Sequence, residues 1–432
     1  MGAIYMNSYV TLAADSSRSS DAGLFNMQSV LQDEAPLGKH LRLDVSTGDT
    51  GSKKGSRCNL YISSEFDVPK NIDPLGPVTI THDNDEDEDD PDESLVKRGW
   101  TLQEAVLPPR VLHFTSKQLI WECSQTGYEA EDTFSLNLRF LRPSFTEMKA
   151  KLMPQLENGE ENDFFDPVRG LHASEINILK AWYWDLIEFR YSGRRLTYGI
   201  DKLPAIAGLA DLASQTLDCE YIAGMWKKGI EWALTWRTLK AEAFTAEKKR
   251  HPYRSPSFSW ACSNSLFTWS HALETFQRTA KVEDTHVELR CSRSPFGCLR
   301  EGCRIRIAGW VSQQAVASHY DRRNALHFRI GGKRTGKIHM DRVPDDTETG
   351  GQAEPCSVVC IELGFGTGPN LETGFVETQP IPKELCLLVL TPIKGESECY
   401  TRFGYGELSW NEKSEDCIEY MGSREWRTIT VY

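Results

Sequence analysis

The chain has 432 residues, 40% of them hydrophobic and 10% aromatic, with twelve Trp. It can therefore build substantial cores, and it exceeds what one core usually serves. A formal net charge of −13 without a basic patch excludes a charge-driven nucleic-acid binder. No stretch approaches the roughly eighteen apolar residues of a membrane span and no basic, apolar leader opens the chain, so a cytoplasmic protein without a membrane partner is expected.

In chain order, Met1, Ile4 and Tyr5 share one helical face, and a strand-like run from Tyr9 to Ala14 follows. That helix has no N-cap and begins at its own first apolar position, so it reads as cut off. Asp44 to Gly55 reads as a loop and Cys58–Ser63 as a strand. His82 to Glu93 holds nine acids, and without them the rest of the chain carries only −4, so the run reads as a solvated loop.

From Arg98 to Cys123 the chain concentrates its unusual residues. Trp100, Gln103 and Glu104 fall on one face of a short helix, with the indole able to bury and the two polar heads meeting it at its rim. After Pro108-Pro109, the runs Val111–Phe114 and Gln118–Cys123 read as two adjacent strands. Glu129 to Pro167 is only weakly periodic. Ile176, Leu179, Trp182, Tyr183, Leu186, Ile187 and Arg190 follow helical spacing, with Ser174 as N-cap and Gly193 past the end. A second helix runs from Asp201, with Pro204 in its first turn and Leu203, Ile206, Leu209 and Leu212 as its buried stripe. Tyr221–Trp226 with Ile230, Leu234 and Trp236 reads as one more. From Ser257 the period changes to two, and the runs at 287–290, 304–311, 358–363, 385–390 and 426–431 predict an antiparallel barrel or sandwich.

The organisation expected is α+β: a first domain over 1–125 with its acidic loop at 82–93, a helical middle region over 126–256, and a β-rich domain over 257–432. Twelve cysteines show no CxxC and no zinc spacing, even where Cys291, Cys298 and Cys303 cluster, and most, such as Cys360 and Cys386, sit in apolar runs as core residues of a reduced protein. Neither a metal nor a cofactor is expected.

Candidate chemistry is sparse. Glu104, held by Arg98 or Arg110, is the one carboxylate that offers itself as catalytic, although Arg98, Gln103, Glu104 and Arg110 equally suit hydrogen bonds tying the helix to neighbouring strands, which is the reading preferred here. His113 reads as core-adjacent. There is no G-x-S-x-G, Gly364–Gly368 reads as a turn between strands, and Arg194-Arg195 reads as a pair of solvated or partner-facing charges.

Arg98-Gly99-Trp100-Thr101-Leu102-Gln103-Glu104, then Arg110-Val111-Leu112-His113-Phe114, then Trp121-Glu122-Cys123 resemble, in order and spacing, the closing motif of the fungal heterokaryon-incompatibility (HET) domain. Met1, Ile4, Tyr5, Ala13, Ala14, Gly23, Leu24 and Phe25 resemble its preceding block. Ser192, Arg194, Leu196, Thr197, Asp201–Pro204, Tyr221, Ala223, Gly224, Trp226 and the run from Tyr253 to Ala261 resemble the region that follows the domain in many members. The resemblance implies a partial α/β unit of TIR-like type lacking the family's two upstream blocks. It implies a role in fungal non-self recognition and cell-death signalling through protein partners. The alternative it carries is a TIR-like enzyme cleaving NAD with help from Glu104. A sheet missing its first strands would leave Tyr9–Ala14 and Val111–Phe114 with an unpaired edge.

Overall fold

The computed structural model describes residues 2–15, 17, 40–45, 58–63, 95–114, 119–123, 127–130, 152, 165–166, 171–239, 242–243, 253–312, 315–320, 325–330, 333–343, 356–367, 383–410 and 415–432. The acidic run at 82–93, residues 23–25 and most of the stretches 44–55 and 129–167 lie outside these. The chain is α+β.

Helix α1 (Gly2–Met6) leads into strand β1 (Thr11–Ala13). Tyr5 and Met6 pack on the main core, whereas Ile4 is 70% exposed, so the face expected to bury is shared out between core and solvent. β2 (His40–Val45) and β3 (Cys58–Ser63) form an antiparallel pair. Helix α2 (Thr101–Val106) buries Leu102, Gln103 and Val106 and is followed by β4 (Arg110–Phe114), β5 (Leu119–Cys123) and β6 (Gly127–Ala130). These strands make a four-stranded sheet in the order β1-β4-β5-β6, with β1 parallel to β4 and the rest antiparallel. Val111–Phe114 is therefore an interior strand, contrary to the unpaired edge expected of it, because β1 supplies its missing neighbour.

Helix α3 (Ala173–Lys180) is capped by His172, two residues before the expected Ser174, because the Glu175 side chain accepts from the His172 backbone N–H at 2.8 Å while the imidazole accepts from the first turn in return. It continues as a π-type stretch over Ala181–Tyr191, ending with Ser192 N–H donating to the Ile187 carbonyl five residues back. The expected stripe of Leu179, Trp182, Tyr183, Leu186, Ile187 and Arg190 is buried along it, while Lys180, Trp184, Asp185 and the exposed Phe189 fall on the opposite side. Helix α4 (Ala207–Leu217), reached through two short 3₁₀ turns, buries Leu209 and Leu212, with Leu203 and Ile206 buried ahead of it.

The third helix expected from Tyr221 is instead a hairpin, Tyr221–Ile222 against Met225–Trp226, then helix α5 (Ile230–Ala233), then an extended Trp236–Thr238 paired with Phe267–Trp269. Ala223 and Gly224 both take positive φ, at 51° and 95°, the backbone of a tight two-residue hairpin turn. Tertiary bonds hold that turn: the Gly224 carbonyl accepts from Trp182 Nε1 at 3.1 Å and from Trp260 Nε1 at 3.0 Å. Trp232, Trp236 and Trp269 likewise donate to the carbonyls of His271, Phe258 and Ala233. Trp232 and Trp269 stack at 5.7 Å, and both meet the fully buried Tyr183 edge to face.

The C-terminal sheet has ten strands. Beside the short Gln277–Arg278 they are β7 (Lys281–His286), β8 (Arg304–Ser312), β9 (Ala315–Tyr320), β10 (Ala325–Ile330), β11 (Lys333–Met340), β12 (Cys356–Thr367), β13 (Lys383–Pro392), β14 (Cys399–Ser409) and β15 (Arg424–Val431). β8, β12, β13, β14 and β15 close into a ring: β12 meets β8 at Val311–Ile361, and β15 runs antiparallel to β8 and parallel to β14. The strand expected at 287–290 ends earlier, at His286, leaving a single bridge between Leu289 and Leu299.

β13 is apolar from Leu385 to Leu390 because both of its faces are buried there: Cys386, Leu388 and Leu390 join the main core, Leu385, Leu387 and Val389 a second one against helix α6 (Glu415–Gly422). Gly364 and Gly366, expected in a turn, lie inside β12. A Cβ at Gly364 would come 2.5 Å from the Gln277 carbonyl oxygen, so close approach of neighbouring chain, not turn geometry, selects glycine. The main core extends from Leu102 to Val431 and includes residues of all three stretches 1–125, 126–256 and 257–432. Arg402 of β14 fastens sheet to helices, stacking 3.7 Å over Trp236, bonding Asp341 at 2.7 Å and donating to the Leu234 carbonyl at 2.7 Å.

Candidate functional site

The period-two alternation of β4 places Val111 and His113 on the buried face of the N-terminal sheet, and Glu122, opposite Val111 on β5, joins them there. Parallel pairing of Ala13 with His113 carries Asp15, just past β1, to the same spot. His113 Nδ1 lies 2.8 Å from Asp15 Oδ2, and its Nε2 3.5 Å from Glu122 Oε2, an ion-pair separation. Burial alone would push the imidazole pKa down; the hydrogen bond to Asp15, then Glu122 and the charges of both carboxylates, outweigh it and bring the pKa up to about 9. At neutral pH His113 is thus an imidazolium clamped between two acids.

Above it opens a small cleft of about 60 Å³ lined by Thr11, Asp15, Thr101, Glu104, His113 and Arg194. Glu104, in the first turn of α2, has its pKa raised by burial, against the opposing pull of a hydrogen bond with the Tyr5 hydroxyl and the charge of Arg98. A carboxyl group raised in a cleft can give or take a proton, whereas an imidazolium near pKa 9 is a poor base at neutral pH. Arg110, the other guanidinium considered for Glu104, points elsewhere: it donates to the Tyr9 carbonyl at 3.3 Å and lies 5.0 Å over the Tyr9 ring.

The remaining motif residues are joints. Gly99 N–H donates to the Arg195 carbonyl at 2.8 Å, and a Cβ on Gly99 would come 2.4 Å from the Leu196 side chain. Trp100 Nε1 donates to Asp201 Oδ2 at 3.3 Å, and Gln103 Oε1 accepts from Gly208 N–H at 3.3 Å, so the two polar heads expected at the rim of the Trp100 ring face other partners. Arg194, expected to be solvated or partner-facing, is buried and donates to the carbonyls of Arg190 at 2.6 Å and Arg98 at 3.1 Å and to Thr101 Oγ1 at 3.0 Å; its neighbour Arg195 is exposed. Trp121 pairs across from Leu112, and Cys123 is buried opposite Arg110.

Comparison with protein-family models, curated proteins and solved structures gave no match. The site is therefore read from its own geometry. The structure brings Glu104 into one cleft with His113 and leaves Arg110, Trp121 and Cys123 outside its lining. Sequence reasoning missed Asp15 and Arg194 as members. The Asp15 position was legible only through the β1–β4 register, and Arg194 only through its contact with a segment 96 residues away. A grouping with metal-ligand character, His271 with Glu384 and Glu407, lies in the C-terminal sheet and not in this cleft. Among the described residues, no helix is long and apolar enough to cross a membrane.

Proposed function

We propose that this protein acts as a heterokaryon-incompatibility-type protein of a filamentous fungus, in cytoplasmic non-self recognition and cell-death signalling, through contacts with other proteins. One observation carries the reading: the two separate stretches that resemble the HET family, 98–123 and 192–204, meet each other. Gly99 sits on Leu196, Trp100 bonds Asp201, and Arg194 bonds Arg98 and Thr101. Parallel pairing of β1 with β4, with α2 leading into β4, suits a TIR-like α/β unit. Exposed Ile4, Tyr9 and Leu12 along this N-terminal edge supply a contact surface. Expression in a filamentous fungus, scored with a vital dye, tests this: wild type is expected to kill hyphal compartments and Trp100→Ala to spare them. Healthy hyphae expressing soluble wild-type protein would refute it.

A second reading, a TIR-like NAD-cleaving enzyme, is favoured by the raised carboxyl of Glu104 in its cleft. Incubation of the purified protein with NAD while following nicotinamide release separates the two. Sustained turnover that disappears in Glu104→Ala selects the enzyme.

A further inference from the structure

His271, in the loop after the Phe267–Trp269 strand, meets Glu384 of β13 and Glu407 of β14, and one ligand atom from each lies within 4.8 Å of the others. His271 Nε2 is 3.6 Å from Glu384 Oε2. An ion bonded at about 2.1 Å in tetrahedral geometry keeps its ligands roughly 3.4 Å apart, so closing this set takes side-chain movement of about an ångström. His339 of β11 stands 3.6 Å from Glu407 Oε2 and can orient that carboxylate.

We propose that His271, Glu384 and Glu407 bind a divalent transition ion of the zinc class, with His339 steering Glu407 and a fourth position open toward solvent beside Glu384. The imidazole has a built seat. A Cβ on Gly366 would fall 2.3 Å from its ring, so glycine there makes the room, and the His271 carbonyl is fixed by Trp232 Nε1 at 2.9 Å. His271 is 1% exposed and the Glu384 side chain 35%, which puts a rigid nitrogen inside and an entry path outside.

The ligand set matches the ion. A neutral imidazole and two carboxylates supply two negative charges to a dication, and imidazole nitrogen favours zinc, nickel or copper over magnesium or calcium. Coordination through Nε2 replaces its 3.0 Å hydrogen bond with the Tyr405 hydroxyl. Arg237 and Lys337 also stand near Glu384 and temper its charge, but they are protonated donors and cannot ligate an ion. Binding here is independent of the cleft at Glu104 and of the role proposed for it.

The test is calorimetric titration of chelator-treated, full-length protein with Zn²⁺, followed by Co²⁺ titration read in the visible. One Zn²⁺ per chain is expected, and cobalt bands without a sulfur-to-metal charge-transfer band, because the set is nitrogen and oxygen. His271→Gln and Glu384→Gln should each weaken binding at least tenfold, while Arg195→Ala leaves it unchanged. Should His271→Gln fail to fold, Glu384→Gln at the half-open rim still decides. Absence of binding, a sulfur band, or wild-type affinity in folded Glu384→Gln overturns the proposal.

Discussion

The tryptophan junction and the floor of the N-terminal cleft are both buried, yet they satisfy their polar groups in different ways. In the junction the indole N–H groups of Trp182, Trp232, Trp236, Trp260 and Trp269 each donate to a backbone carbonyl. Under α2 the buried face of β4 and β5 carries an imidazolium between two carboxylates. Those indole-to-carbonyl bonds do not titrate between pH 6 and pH 9; the buried acid bonded to Trp269, Glu188, has its pKa raised by burial to about 7. A charged cluster in a buried site holds only while its protonation state does. The difference teaches that burial alone does not tell which part of this molecule is responsive; the kind of partner does.

The largest effect expected is on the neutral side. Trp236→Ala removes a fully buried ring, its bond to the Phe258 carbonyl and the surface on which Arg402 stacks. Urea denaturation should show a loss of about 3–5 kcal/mol, equal at pH 6 and pH 9.

The charged side should answer to pH instead. His113 has its folded pKa raised from 6.5 to about 9, so the stability it contributes is fully present below pH 6.5 and is lost as pH rises through about 9. The full span is on the order of 3 kcal/mol. Midpoints measured from pH 6 to 10 should fall for wild type and stay flatter for His113→Gln; parallel curves would erase the distinction drawn between the two regions.

The smallest effect separates two neighbours. Arg194→Met should cost about 2 kcal/mol through its lost buried bonds to Arg98, Thr101 and Arg190. Arg195→Ala, at an exposed side chain, should stay within about 0.5 kcal/mol. Thermal melts of the pair are enough to check both.

Those two arginines also mark where the chain was legible. Local signals read well: the helix, turn and strands from Thr101 to Cys123, the Leu203–Leu212 stripe, Cys58–Ser63, and the period-two runs that became β8, β12, β13 and β15 all follow from spacing. What failed needed distant partners. Tyr221–Trp226 has the residues of a helix, but indoles from Trp182 and Trp260 claim the Gly224 carbonyl and fix a turn. Gly364 and Gly366 looked like a loop because the neighbours that exclude a side chain there, Gln277 and His271, lie about ninety residues earlier. Of the candidate site, Glu104 was legible as a carboxylate on a short helix. Its cleft was not, since Asp15 and Arg194 reach it through a parallel register and a tertiary hydrogen bond.

β15 lies between β8 and β14, and Ile429 and Val431 on it are buried in the main core. Those residues are synthesised more than a hundred positions after β8. On the ribosome, Ile305 and Ile307 of β8 must therefore wait, with their seam open, until residue 431 has cleared the exit tunnel. The ring closes late relative to β8, only once β15 has emerged, and through that interval the nascent chain displays a strand edge for which chaperones and aggregation compete.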